Sequence, residues 1–363
     1  MRLGEANLRA VRDTALSRLD AWRQNWRRSF GYLGAIRRSK AQGLWPPRVE
    51  GPPDFEGLPV LLARGDRFGD MMLTVPFLAR LVASRADLRV LATDRLSRQL
   101  LSKVGVDCVA DAHGLDGWRP DWVLFAEPSR NLRSKRHPER WAFVDRMLAD
   151  FRGAHFAMPV MRRGEAMSIF PGSFCTPTSG ISAILLLELF ADGLGLPPAE
   201  RPLLHPWIRD DPTRRQGAVV LNLSAGRAGE SDRRDLPIGF WSAVAEGLAE
   251  RAPVACIVQP GDDRQREDAA SDPRLGKGEI ACFEDVADAA DWLGRQRLLL
   301  SPETGLCHLA RNLEVPMVVL TPKRKIPYFY PLAPSSGFVF AKSLDVIAPQ
   351  QVVEAALPML EVY

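Results

Sequence analysis

No apolar run in this sequence approaches the roughly 20 residues needed to span a bilayer. The longest, such as Ala183–Leu187, fall far short, so no transmembrane helix is expected. There is no CxxC pair either. The five cysteines (Cys108, Cys175, Cys256, Cys282 and Cys307) are scattered, three of them in apolar strand-like or helical sequence, which fits reduced, packed thiols better than disulfides or zinc. The five histidines also lack metal-ligand spacing, and no metal is expected. No GxGxxG follows the first apolar strand, which counts against dinucleotide chemistry. The opening MRLGEANLRAVRD has charges where a signal peptide needs an apolar core, and a cytoplasmic location is expected.

What is present is a chain of 363 residues with 46% hydrophobic content, enough for large cores and most naturally two domains. Its charge is uneven. Residues 1–40 hold ten Lys or Arg against three Asp or Glu, a balance of +7; with +4 for the whole chain, the other 323 residues carry −3. In this arm, taken as residues 1–45, Leu3, Leu8, Val11, Ala15, Leu16, Leu19, Trp22 and Trp26 fall on one broad helical face, with arginines elsewhere. A basic amphipathic helix with tryptophans suits an anionic membrane surface. Docking on its own protein or on a dimer partner is an equal alternative. No aromatic–basic repeat or known binding motif follows, so nucleic acid ranks below both. The proline-rich stretch Trp45–Pro53 marks a boundary.

Beyond it, strands and helices alternate. Leu58–Ala63 reads as a buried strand, followed by the loop Arg64–Asp70 and a helix over Met71–Ser84. Arg89–Thr93 is a strand, Leu96–Val104 a helix and Trp122–Ala126 a strand, after which a basic stretch, Pro128–Arg140, leaves the strand end. A second loop, Pro171–Gly180, precedes a helix over Ile184–Leu194 that ends at Gly195. The second half repeats the pattern: strand Ala218–Leu223, a basic glycine-containing loop Ser224–Arg234, helix Gly239–Arg251 and strand Pro253–Val258. Such alternation predicts parallel sheets with helices on both faces. The expected organisation is an arm (1–45), one α/β domain (57–210), a second (215–346) and a last helix over Ile347–Leu360 that crosses back to the first.

The stretch Leu298–Pro322 is the most informative. Two apolar runs, Leu298–Leu300 and Val315–Thr321, flank one short helix whose apolar residues recur at Leu306, Leu309, Ala310 and Leu313. Ser301 suits an N-cap and Pro302 the first helical position, so the helix is expected to start there. In a strand–loop–helix–strand unit the loop lies at the carboxyl end of the sheet, where the N–H groups of Thr304 and Gly305 and the helix dipole favour an anion. A helix start that caps itself and binds nothing is the plain alternative. Glu303, Thr304, Gly305 and His308, an ETGxxH pattern at a strand tip, are more than capping needs.

Two other strand-end loops carry polar residues. Asp70 follows a glycine beside Arg64 and Arg67; it suits a general base for a hydroxyl nucleophile, or an N-cap for the helix that follows, or both. Arg227, Arg233 and Arg234, with glycines, suit a diphosphate held without a metal.

The sequence resembles the heptosyltransferase-type glycosyltransferases (family 9) in an ordered set of motifs: Arg64, Gly69, Asp70, Thr74 and Pro76; Asn222, Ser224 and Gly226; Ser301, Glu303, Thr304, Gly305, His308 and Ala310. The resemblance covers about residues 57–350. It implies a GT-B fold, two Rossmann-like domains facing a central cleft, and metal-independent, inverting transfer of heptose from an ADP-sugar to a lipopolysaccharide acceptor, with no cofactor beyond the sugar nucleotide. Residue by residue, it implies Asp70 as general base and Gly69 as the glycine above which donor and acceptor meet. Ser224 and Gly226 match the loop at the donor phosphates, Arg234 a phosphate-binding lysine, Thr304 and Gly305 the helix end under the diphosphate, and His308 the helix histidine. The sequence departs from the family at Glu303, where Asp is usual, at Arg234, and at Leu236, where a tryptophan normally precedes Pro237. These departures bear on the donor sugar, for which heptose is the default.

In the implied mechanism Asp70 deprotonates the acceptor while Arg227, Arg234 and the Thr304–Gly305 helix end stabilise the leaving diphosphate. Arg64, Arg67, Arg133 and Arg136 are candidates for acidic groups of a glycolipid acceptor. A non-catalytic protein of the same fold, binding a sugar nucleotide or acting as a scaffold at the membrane, is the competing reading. Deleting residues 1–45 is expected to reduce co-sedimentation with anionic vesicles; unchanged binding removes the membrane role of the arm.

Overall fold

A computed structural model describes residues 53–64, 67–126, 143, 146–160, 174–175, 183–208, 217–224, 236–322 and 335–362. The arm 1–45, the basic stretch with Arg133 and Arg136, and the loop with Gly226, Arg227, Arg233 and Arg234 lie outside the described residues.

The first half contains β1 (Pro59–Arg64), α1 (Phe68–Ala83), β2 (Asp87–Ala92), α2 (Arg95–Lys103), β3 (Asp107–Val109), β4 (Trp122–Phe125), β5 (His155–Ala157), β6 (Pro159–Val160), β7 (Phe174–Cys175) and α3 (Ala183–Gly193). The second contains β8 (Val219–Asn222), α4 (Ile238–Leu248), β9 (Val254–Ile257), α5 (Asp263–Ser271), β10 (Ile280–Ala281), α6 (Val286–Gly294), β11 (Leu298–Pro302), α7 (Gly305–Asn312), β12 (Met317–Pro322), β13 (Ser336–Ala341) and α8 (Pro349–Val362). The first sheet runs β3-β2-β1-β4-β5 and the second β10-β9-β8-β11-β12-β13. Every pairing within both is parallel. These are Rossmann-like orders, in which the winding reverses between β1 and β4 and again between β8 and β11.

The apolar strands follow from burial on both faces. In β1, Val60 and Leu62 enter one core, Leu61 and Ala63 another. In the second sheet Val220, Leu299, Met317 and Val319 enter the core that the two halves share, whereas Val219, Leu221, Leu298, Leu300, Val318 and Leu320 enter the core lined by α4 and α8. The Val60–Leu62 core is shared: it takes Phe77 and Leu78 from α1, Phe190 from α3, Leu293 from α6 and Leu309 from α7. Phe77 and Phe190 stack with ring centroids 5.4 Å apart. Arg80 of α1 reinforces this seam, pairing with Glu188 at 3.2 Å and Asp192 at 2.7 Å on α3 and donating to the Leu196 carbonyl.

The expected start of the helix after β11 is corrected. Ser301 and Pro302 belong to the strand, opposite Val319 and Leu320 of β12, and α7 begins at Gly305 with Thr304 as N-cap. Ladder register overrides the capping preference of Ser and Pro; proline is tolerated because it is the last residue of the strand. Asp70 is likewise not an N-cap. Arg67 holds that position, and Asp70 lies inside the first turn of α1. The last helix lays Val352, Val353, Ala356 and Leu360 into the core of the second half. Among the described residues no helix is long and apolar enough to cross a membrane.

Burial also sets the chemistry of the thiols. Cys256 on β9 is fully buried, and desolvation, with a smaller contribution from Asp272, pushes its pKa up to about 12. Cys307 on α7 is raised as well, chiefly by burial. Since the thiolate is the nucleophile, the raised pKa and the burial both suppress the reactivity of these thiols. Both cysteines are expected to escape iodoacetamide in the native protein and to react in urea, as read by peptide mass mapping.

Candidate functional site

The two points where winding reverses lie at the carboxyl ends of the sheets, and the loop ends after β1 and β11 meet there. Asp70 follows β1, Ser224 follows β8, and Glu303 and Thr304 follow β11. The junction itself is made by two glycines. A Cβ on Gly69 would lie 3.1 Å from Gly305 Cα, and one on Gly305 would lie 3.1 Å from Phe68 Cδ1 and 3.3 Å from the Gly69 nitrogen. The N-termini of α1 and α7, one from each half, therefore meet backbone to backbone. Gly305 is needed first for this approach of the two halves. Neither helix receives a side-chain hydrogen bond from its N-cap residue, Arg67 or Thr304. Two positive helix ends converge at one spot, an arrangement that favours an anion.

Asp70 stands in the first turn of α1, its side chain 23% exposed and its Oδ1 3.6 Å from Arg64 Nη2. Arg64 was expected to face an acceptor. It is instead buried at the end of β1, where Nη1 donates to the Ala126 carbonyl beyond β4 and the guanidinium backs Asp70. A cation at that depth is accommodated because it has both a carbonyl and a carboxylate. Arg67 is exposed at the entrance to α1.

On the other side of the junction, Asn222 at the end of β8 donates from Nδ2 to Ser301 Oγ at 2.8 Å and to Thr304 Oγ1 at 3.2 Å. This bridge across the strand switch fixes the strand-to-helix turn, a role the motif alone does not reveal. The Ser301 hydroxyl in turn donates to the Pro302 carbonyl at 2.6 Å. Ser224, expected at the donor phosphates, is buried in a network of its own. Its Oγ accepts from the Gln259 N–H at 3.1 Å and lies 3.0 Å from Asp262 Oδ2 and 2.7 Å from Gln265 Oε1, either of which takes its proton. It ties the loop after β8 to the loop after β9. Glu303 is buried and accepts from Thr321 Oγ1 of β12 at 3.4 Å. His308 is buried one turn into α7, with Cδ2 3.4 Å from the position a Gly69 Cβ would take, so the imidazole belongs to the seam. The structure thus assembles Asp70, Arg64, Gly69, Thr304, Gly305 and His308.

No protein-family model matches the chain, and no curated protein matches it in sequence. Among solved structures it is similar to a glycosyl transferase of family 9 from Veillonella parvula, with 15% identity, TM-score 0.61, and coverage of 86% of this chain and 99% of that one. It is also similar to the E. coli heptosyltransferase WaaC with ADP (16%, TM-score 0.59, 83% and 99% covered) and to E. coli ADP-heptose lps heptosyltransferase II (17%, TM-score 0.56, 84% and 99% covered). The likeness is one of fold: two parallel-sheet α/β halves arranged as GT-B.

Gly305→Val is expected to force the two helix starts apart and to lower stability by about 1–3 kcal/mol, the usual cost of overpacking a tight contact. Equilibrium urea unfolding measures it, and an unchanged midpoint contradicts the close approach.

Proposed function

We propose that a chain with this fold and this meeting of helix ends is an inverting glycosyltransferase that moves a sugar from a nucleoside diphosphate sugar to a glycan acceptor. One observation carries the reading: the backbone contact of Gly69 with Gly305, which sets a carboxylate from one half beside an uncapped helix N-terminus from the other. Group transfer from a diphosphate needs those two elements. A base takes the proton of the attacking hydroxyl, and fixed positive charge receives the electrons that leave with the diphosphate.

In this mechanism Asp70 accepts the acceptor proton as the hydroxyl oxygen attacks the anomeric carbon from the face opposite the diphosphate, and the configuration inverts. Arg64 holds the Asp70 carboxylate in place from behind. The start of α7 at Thr304–Gly305 stabilises the departing diphosphate, joined by Arg227 and Arg234, so that no metal is required. Arg67, Arg133 and Arg136 are assigned to acidic groups of the acceptor. An ADP-sugar donor, with heptose as the default, and a lipopolysaccharide-type acceptor are proposed; the motif resemblance and the ADP and ADP-heptose named for the similar structures support this reading. The protein is placed in the cytoplasm, with the basic arm holding it to the inner face of the inner membrane where such an acceptor lies.

The non-catalytic reading draws on the engaged Ser224 hydroxyl and the buried Glu303, which leave less polar surface for a donor. Titration calorimetry with ADP-, UDP- and GDP-sugars, alongside a transfer assay, separates the two. Asp70→Asn is expected to keep sugar-nucleotide binding and to lose about 10²- to 10⁴-fold in kcat. Transfer unchanged by that substitution removes Asp70 as the base.

A further inference from the structure

Helix α1 contains a proline at position 76. In an α-helix the N–H of residue i bonds to the carbonyl of residue i−4, and proline has no N–H, so Pro76 leaves the Met72 carbonyl without its helical donor. Met72 is fully buried, where an unmet carbonyl is costly. The missing donor comes from the other half of the chain. Asn312, the last residue of α7, places Nδ2 2.7 Å from Met72 O.

The Asn312 amide is used on both ends. Its second N–H reaches the His308 carbonyl at 3.0 Å, and its Oδ1 accepts from Arg311 Nη1 at 3.1 Å. Two carbonyls on one side and a guanidinium on the other fix which end is nitrogen. The side chain is 93% buried, being 7% exposed. The tie joins the same two helices whose N-termini meet at Gly69 and Gly305, several residues further back along each. With the glycine contact it holds α1 against α7 at two separated points, and Asp70 lies between them on α1.

We propose that Asn312 is a positioning residue: by donating to the carbonyl that Pro76 leaves open, it ties α1 to α7 and fixes Asp70 against the helix end at Thr304–Gly305. The effect on transfer rests on the glycosyltransferase reading; the tie itself does not.

The test is a cycle of Asn312→Ala, Pro76→Ala and the double variant in the full-length protein, each read by urea unfolding and by transfer kinetics. Pro76→Ala returns an N–H to the helix, so Met72 O no longer depends on Asn312. Asn312→Ala alone is expected to lower the unfolding midpoint and to reduce kcat about 10- to 100-fold, as a misplacement of about 1 Å does, with KM for the donor changed less than about threefold. In the Pro76→Ala background the same substitution is expected to lower the midpoint by less, because the Met72 carbonyl is satisfied while the bonds to His308 and Arg311 are lost in both backgrounds, but still to reduce kcat, because the tie between the halves is gone. If Pro76→Ala restores both the midpoint and kcat, Asn312 only satisfies a carbonyl, and the positioning role is overturned. If the midpoint falls equally in both backgrounds, the tie through Met72 is overturned. Should the unaltered protein transfer no sugar from any nucleotide donor, the functional reading and the positioning role fail together, and the unfolding arm still decides the tie.

Discussion

Two helix N-termini pressed together at Gly69 and Gly305 set the geometry of the junction between the two halves. Each helix start carries about half a positive charge, and like poles in contact repel. Carboxylates lie on both sides of the junction: Asp70 in the first turn of α1 and Glu303 two residues before α7. They offset the repulsion in the resting protein, and a bound diphosphate would add to the offset. A side chain on either glycine would meet the opposite backbone. The electrostatic preference for an anion and the steric requirement for two glycines are thus one constraint.

That constraint explains the polar residues around it. Arg64 is buried because its task is local, bridging the carbonyl beyond β4 to the carboxylate on α1. Asn222 and Ser301 are buried for the corresponding reason in the second half, where they brace the turn that leads from β11 into α7. These braces leave few degrees of freedom to the residues that face one another at the junction. Preorganisation of this kind lets fixed dipoles act on developing charge without first having to reorient.

The alternation of apolar runs and amphipathic segments was enough to read the central strands, because a strand buried on both faces has no polar alternation to hide it: β1, β4, β8 and β11 lie within a residue or two of the expected positions, whereas the edge strands β3, β5, β10 and β13 and the helices α5 and α6 were not read. Local chemistry misled where long-range pairing competed with it. Ser301 and Pro302 are good helix openers by type, yet the ladder to Val319 and Leu320 carries the strand through both. Arg64 looks like a solvent-facing cation until the Ala126 carbonyl, 62 residues away, is placed beside it. Asn312 was not legible at all. Its partner, Met72, lies 240 residues earlier, and the only local sign was a proline inside a helix.

The apolar core between the sheets belongs to both halves, since Val60, Phe77 and Phe190 from one side and Val220, Leu293 and Met317 from the other form one cluster. Each half has a further core of its own, but this shared one is closed only when the two are together. Separated from its neighbour, each would present an oily face to water, which couples the folding of one half to that of the other. During synthesis the first half emerges before the second, so that face stays uncovered until the second half arrives, the kind of transient apolar exposure that promotes aggregation.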